Sequence, residues 1–216
     1  MAFIGPNGSG KTTIMKLIEK VYLPTKGEIL INGINIKELN TKSIRDKISM
    51  LLQDFNLFQE SVKENILVKD IKMTDKEAFQ LITCNDLKKR INELPEKINT
   101  VLGNWFGDGI SFSGGQIQKL AISRVFAQQG DFVLLDEPNS SLDPKSEKEM
   151  FKFIQQSKNK KTCIITLHIF TNIDLMDNII MFEKGEIVAY GPHKELYKSN
   201  KTYKEFYDLQ ERPIEE

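Results

Sequence analysis

The residues with the clearest chemical potential are Gly5-Pro6-Asn7-Gly8-Ser9-Gly10-Lys11-Thr12, near the start of a chain of 216 residues. Glycines at these spacings let successive backbone N–H groups turn toward one anion. The lysine that follows reaches terminal phosphates, and the threonine hydroxyl suits Mg²⁺. Gly5, Pro6, Asn7, Gly8, Ser9, Gly10, Lys11, Thr12 and Thr13 are therefore the candidate contacts to a nucleotide's phosphates. A plain glycine turn before a helix is the alternative, but strand, loop and helix stand here in the order a phosphate loop requires.

Phosphate chemistry of this kind needs carboxylates at the end of a buried strand, and Phe132-Val133-Leu134-Leu135-Asp136-Glu137 supplies two in succession. Asp136 is the candidate Mg²⁺ ligand, through water, together with Thr12. Glu137 is the candidate general base for an attacking water. Standing alone, the pair could be a solvated strand end. Ser113-Gly114-Gly115-Gln116 precedes a helical run and offers a second anion-binding helix start, which suggests a site shared between chains. By itself it could be a flexible turn.

The elements that must position these groups follow from hydrophobic period. Met1-Ala2-Phe3-Ile4 reads as a strand, 12–22 as a helix, and 28–33 as a strand closed by a turn at Asn32-Gly33. Helical patterns fill 61–68, 75–82 and 116–128. Strand and helix then alternate: strand 132–135, helix 144–157, strand 162–166, short helix near 170–176, strands 179–182 and 187–190, and a charged amphipathic tail helix over 194–209. This predicts an α/β fold with a mostly parallel sheet covered on both faces. One domain over 1–216 is expected, with an α/β core from 1–60 and 129–216 and a helical subdomain over 61–128.

Thirty basic residues balance thirty acidic ones, so the whole chain lacks the positive field of a nucleic-acid binder, and no nucleic acid is expected. No apolar run exceeds four residues, far below the roughly 20 that cross a bilayer, and a cytoplasmic location is expected. Cys84, Cys163, His168 and His193 show no metal-ligand spacing, and both cysteines read as small apolar residues.

Phe112-Ser113-Gly114-Gly115-Gln116 resembles the signature of ABC-type ATPases, and the other motifs of that family stand in its order. Gln53 in Leu51-Leu52-Gln53-Asp54 looks like the Q-loop glutamine, Ser140-Ser141-Leu142-Asp143 like the D-loop, and His168 in Thr166-Leu167-His168 like the switch histidine. The resemblance implies a P-loop ATPase fold, ATP and Mg²⁺ as ligands, and a homodimer assembled head to tail. Ser113, Gly114, Gly115, Gln116 and Asp143 would then meet nucleotide held by the partner. Gln53 and His168 would join Glu137 in catalysis, with Gln53 also sensing Mg²⁺.

Within that family, 53–58 and 62–66 look like the exporter type, and 102–109 together with 116–121 is similar to exporters of lantibiotics and related peptide bacteriocins, which implies a transmembrane exporter partner, upstream or in trans. Relative to the family, the antiparallel strands and the adenine-stacking aromatic residue before the phosphate loop are missing, so weakened nucleotide affinity and an exposed sheet edge are expected. Phe112, Ile117 and Ile169 depart from the family's usual residues. Two other functions stay open at this point: a non-transport ABC protein that acts as a nucleotide-gated binding module, and an inactive fragment of an exporter.

Overall fold

The computed structural model describes residues 1–52, 55–68, 73–103, 110–128, 130–157, 161–167, 170 and 172–211. Strand β1 (Ala2–Ile4) leads into helix α1 (Lys11–Ile18), hairpin strands β2 (Leu30–Ile31) and β3 (Ile34–Asn35), helix α2 (Thr41–Lys47) and strand β4 (Ile48–Leu51). Four helices follow: α3 (Val62–Ile66), α4 (Asp75–Gln80), α5 (Asn85–Asn92) and α6 (Gly114–Ala127). The chain then returns through β5 (Phe132–Leu135), α7 (Pro144–Ser157), β6 (Thr162–Thr166), β7 (Ile179–Glu183) and β8 (Glu186–Gly191) to α8 (His193–Ser199) and α9 (Lys201–Glu211).

Six strands form one sheet in the order β4-β5-β6-β1-β7-β8, all parallel to their neighbours except the β7–β8 pair. β1 is thus paired on both sides, and the edges of the sheet are β4 and β8. The period-2 alternation of a strand assigns its side chains to two faces. Phe3 and Leu134 pack with Met15 and Phe182 under α1, whereas Ala2, Ile4, Val133 and Leu135 pack on the other face with α6, α7 and Tyr203 of α9.

A third cluster, built from Val62, Ile66, Ile82, Leu87, Ile91 and Leu120 among others, joins α3 to α6. α6 serves two clusters at once, giving Leu120 and Ala127 to this one and Ala121, Ile122, Val125 and Phe126 to the sheet. A helix buried on both sides loses the one-sided apolar stripe by which helices are usually read. Its start is set by a capping box. Ser113 Oγ accepts from the Gln116 N–H, and Gln116 Oε1 accepts from the Ser113 N–H, so the helix begins at Gly114 and not at 116.

Several boundaries differ from the sequence reading for identifiable reasons. α1 stops at Ile18, short of 22, because Lys20 sits at φ 58° and the N–H groups of Lys20 and Val21 bond back to Leu17 and Lys16, a Schellman ending without its usual glycine. The expected strand over 28–33 shrinks to β2, although the Asn32-Gly33 turn is as expected, with both residues at positive φ. The single tail helix is two, α8 and α9. Asn200 divides them, donating to the Val188 carbonyl and accepting from the Tyr203 N–H. α2, β4 and α5 were not anticipated.

Asp143 immediately precedes α7. Its Oδ1 accepts from the N–H groups of Lys145 (3.1 Å) and Ser146 (3.0 Å), and its Oδ2 from the Ser146 hydroxyl (2.5 Å). These bonds, led by that hydroxyl, pull its carboxyl from 3.8 down to about 2. A depressed acid stabilises the fold above its unfolded pKa and loses that effect as pH falls through the folded value. Asp143→Ala is expected to cost about 1 kcal/mol near neutral pH. Urea midpoints of variant and wild type should converge as pH falls from about 4 to about 2.

Candidate functional site

At the C-terminal end of β1 the backbone of Gly5 adopts φ +139°, and a Cβ there would lie 2.1 Å from the carbonyl oxygen of Phe182 on β7. Only glycine fits. The loop is tied to the β7–β8 turn by the Gly185 N–H, which donates to the Ser9 carbonyl (3.2 Å). α1 then begins at Lys11 with no side-chain cap and no acidic residue in its first turn, so the positive end of the helix is left without internal compensation.

Lys11 is buried. Its ammonium donates to the carbonyls of Gly5 (2.8 Å) and Pro6 (3.2 Å) within its own loop. Burial pushes its pKa below the ordinary lysine value, opposed by the Glu137 and Asp136 carboxylates. The Ser9 hydroxyl is buried and has no hydrogen-bond partner among the described residues. Asn7, Gly8, Ser9, Gly10, Lys11, Thr12, Thr13 and Glu137 line one cavity of about 320 Å³.

The acidic pair reaches this cavity through strand register. β5 and β6 pair in parallel with Leu135 beside Ile165, and β6 and β1 pair with Thr166 beside Phe3, so the ends of three adjacent strands converge. Asp136 is 3 % exposed; its Oδ1 accepts from the Thr166 hydroxyl (2.6 Å) and its Oδ2 from the Thr12 hydroxyl (3.1 Å). The same Thr166 oxygen accepts from the backbone N–H of Glu137 (2.8 Å). Glu137 itself sits at φ 50°, in the left-handed region that a non-glycine residue occupies only when its surroundings hold it there.

The structure therefore brings residues 7–13 and Glu137 together, bonds Thr12 to Asp136, and places Gly5 and Pro6 as carbonyl acceptors for Lys11. Ser113, Gly114, Gly115 and Gln116 do not line that cavity. Asp143 does not line it either and acts as the cap of α7. Gln53 and His168 lie outside the described residues. Thr166 is a site residue that the motifs leave without a role; its signal in the sequence is a hydroxyl at the end of the strand that follows the acidic pair. Cys84 is buried and Cys163 half-buried, and burial raises both thiols, that of Cys84 to about 11.

The donor set fits a phosphate with a divalent cation. An unpartnered buried hydroxyl, an ammonium resting on carbonyls and an uncapped helix start suit phosphate oxygens. The Thr12 and Asp136 oxygens are the hard ligands that Mg²⁺ takes. A glycine loop between a buried strand and a helix, facing an acidic pair at the end of a parallel strand two places away in the sheet, defines the P-loop nucleotide-binding class.

Comparison with known proteins is narrower. The ABC transporter family matches residues 1–140. The subtilin transport ATP-binding protein SpaT of Bacillus subtilis is 40% identical over 224 residues, which cover 100% of this chain and 36% of that protein. A candidate multidrug export ATP-binding/permease protein of Staphylococcus aureus is 36% identical over 210 residues, 97% of this chain and 36% of its own length. Among solved structures, that of a bacterial Atm1-family ABC exporter with ATP bound superposes with a TM-score of 0.88 at 27% identity, covering 98% of this chain and 37% of that one. The chain belongs to the ABC transporter family, as its ATP-binding domain. It spans little more than a third of the curated relatives it matches.

Thr166→Val keeps the shape of the side chain but removes the hydroxyl that serves Asp136 and the Glu137 N–H. Leaving those buried groups without it should lower stability by about 1–3 kcal/mol. Thr166→Ser should retain most of it, as read from urea denaturation.

Proposed function

We propose that this chain binds ATP with Mg²⁺, hydrolyses it, and thereby energises a membrane exporter of a small, lantibiotic-like peptide. The observation that carries the reading is the convergence of Thr12, Asp136, Thr166 and Glu137 at the edge of the cavity lined by the phosphate loop. Lys11 would exchange the carbonyls of Gly5 and Pro6 for β and γ phosphate oxygens. Residues 7–13 would wrap the phosphates with backbone N–H groups and the Ser9 hydroxyl, on the turn that Gly5 and Pro6 open. Thr12 and Asp136 would hold Mg²⁺, which when bound neutralises charge that develops on the phosphates.

Glu137 would accept the proton of an attacking water, and its backbone, fixed by Thr166, keeps the carboxylate at the rim of the cavity. Gln53 and His168 would complete the set from the same chain. Ser113, Gly114, Gly115 and Gln116 do not line their own chain's cavity, which supports a head-to-tail pair in which they close over the partner's nucleotide. Asp143 would stand at that junction while capping α7.

The peptide cargo rests on likeness to the subtilin transport protein, and the transmembrane partner on relatives named as ATP-binding/permease proteins. No described helix is long and apolar enough to cross a membrane. We place the domain at the cytoplasmic face, held there by that partner.

In a phosphate-release assay, hydrolysis should require Mg²⁺ and rise more than linearly with protein concentration. Glu137→Gln should cut turnover by about 100-fold or more while ATP binding persists. Hydrolysis untouched by that change would overturn the assignment of the base.

A further inference from the structure

α6 connects two groups to which the proposed function gives different duties: the helix start at 113–116 and the segment 137–143 that carries Glu137. Gln118 opens the second turn of α6 and is 2 % exposed. Its Nε2 donates to the Glu137 carbonyl (3.3 Å) and to the Ser140 hydroxyl (3.2 Å), and its Oε1 accepts from the Ser141 N–H (2.9 Å). The amide orientation is fixed by its partners, since a carbonyl only accepts and a backbone N–H only donates.

Two neighbours make the same junction. A Cβ on Gly115 would lie 2.9 Å from the Ser141 carbonyl oxygen, so the helix start touches this segment with no room for a methyl group. Lys119, whose side chain is 4 % exposed, pairs with Asp86 of α5 (2.5 Å) and lies 3.6 Å from Asp143. The segment is thus in contact with α6 at Glu137, Ser140, Ser141 and Asp143.

We propose that Gln118 is a positioning residue for Glu137, and that through it the placement of the 113–116 helix start sets the placement of the base in the same chain. Glu137 is held in its left-handed conformation from both sides, by Thr166 at its N–H and, at its carbonyl, by Gln118 together with the Ser140 N–H of the same turn (both 3.3 Å). The inference rests on the ATPase reading. In the paired arrangement the helix start attends the partner's nucleotide while Glu137 attends its own, so Gln118 is a mechanical link between the two sites. An oriented base is sensitive to small displacements, and about 1 Å of misplacement costs about 100-fold in rate.

The test uses the full-length protein with Gln118→Met, which keeps the volume and removes the three hydrogen bonds, and Gln118→Glu, which keeps an acceptor for Ser141 but sets a carboxylate against the Glu137 carbonyl. Both should lower kcat about 10- to 100-fold, change the KM for ATP by less than about twofold, and reduce the Hill coefficient for ATP toward one. A role in packing alone would lower Tm and leave kcat and the Hill coefficient at wild-type values below the melting range, which overturns the proposal. Amide hydrogen exchange at Ser141 is measured in parallel without turnover. Faster exchange in Gln118→Met supports the link, and unchanged exchange overturns it. Absence of Mg²⁺-dependent hydrolysis in the wild type would instead reject the ATPase reading, and the exchange result would still decide whether Gln118 holds the segment.

Discussion

A carboxylate buried at the end of a central strand is costly unless its oxygens are hydrogen-bonded, and Asp136 is such a group. Two hydroxyls meet it, from Thr12 at the start of α1 and from Thr166 at the end of β6. This requirement ties the phosphate loop and two parallel strands to one point, since Thr12 can reach Asp136 only if β1 lies one strand beyond β6. The same Thr166 oxygen then takes the Glu137 N–H, and the chain leaves β5 in a left-handed turn. The Thr12 and Asp136 oxygens, the phosphate loop and Glu137 are thereby fixed relative to one another, which is the preorganisation that the proposed phosphoryl transfer would need.

Lys11 shows the other side of that preorganisation. A buried ammonium must also be satisfied, and in its present state the carbonyls of Gly5 and Pro6 do this from within the loop. Phosphate oxygens are better partners for a cation than neutral carbonyls. In the proposed reaction a nucleotide would therefore draw the Lys11 ammonium away from those carbonyls. α6 adds a longer connection, because it belongs both to the helical cluster and to the cluster under the sheet and bonds to the segment behind Glu137 through Gln118.

The parts of this molecule legible in its sequence are those whose chemistry is local. The phosphate loop declares itself by glycines and a lysine at fixed spacing. β5, α7 and β6 are found at the expected limits because an unbroken apolar run, Pro144 at a helix start and a β-branched run are each local signals. Part of what was missed is set by partners distant in sequence: Thr166 matters because of strand register, and Gln118 because α6 packs against a turn some 20 residues away. The end of α1 is local but turns on Lys20 adopting a conformation usually left to glycine. α5 was overlooked although Leu87, Ile91 and Leu94 form a short apolar stripe. Gln53 and His168 rest on motif resemblance alone.

The most direct measurement is a crystal structure of the protein with Mg²⁺ and a slowly hydrolysed ATP analogue. The Lys11 ammonium should have left the Gly5 and Pro6 carbonyls for phosphate oxygens, with the Thr12 hydroxyl turned to the metal beside Asp136. A nucleotide bound elsewhere, with Lys11 still on those two carbonyls, would contradict the central claim.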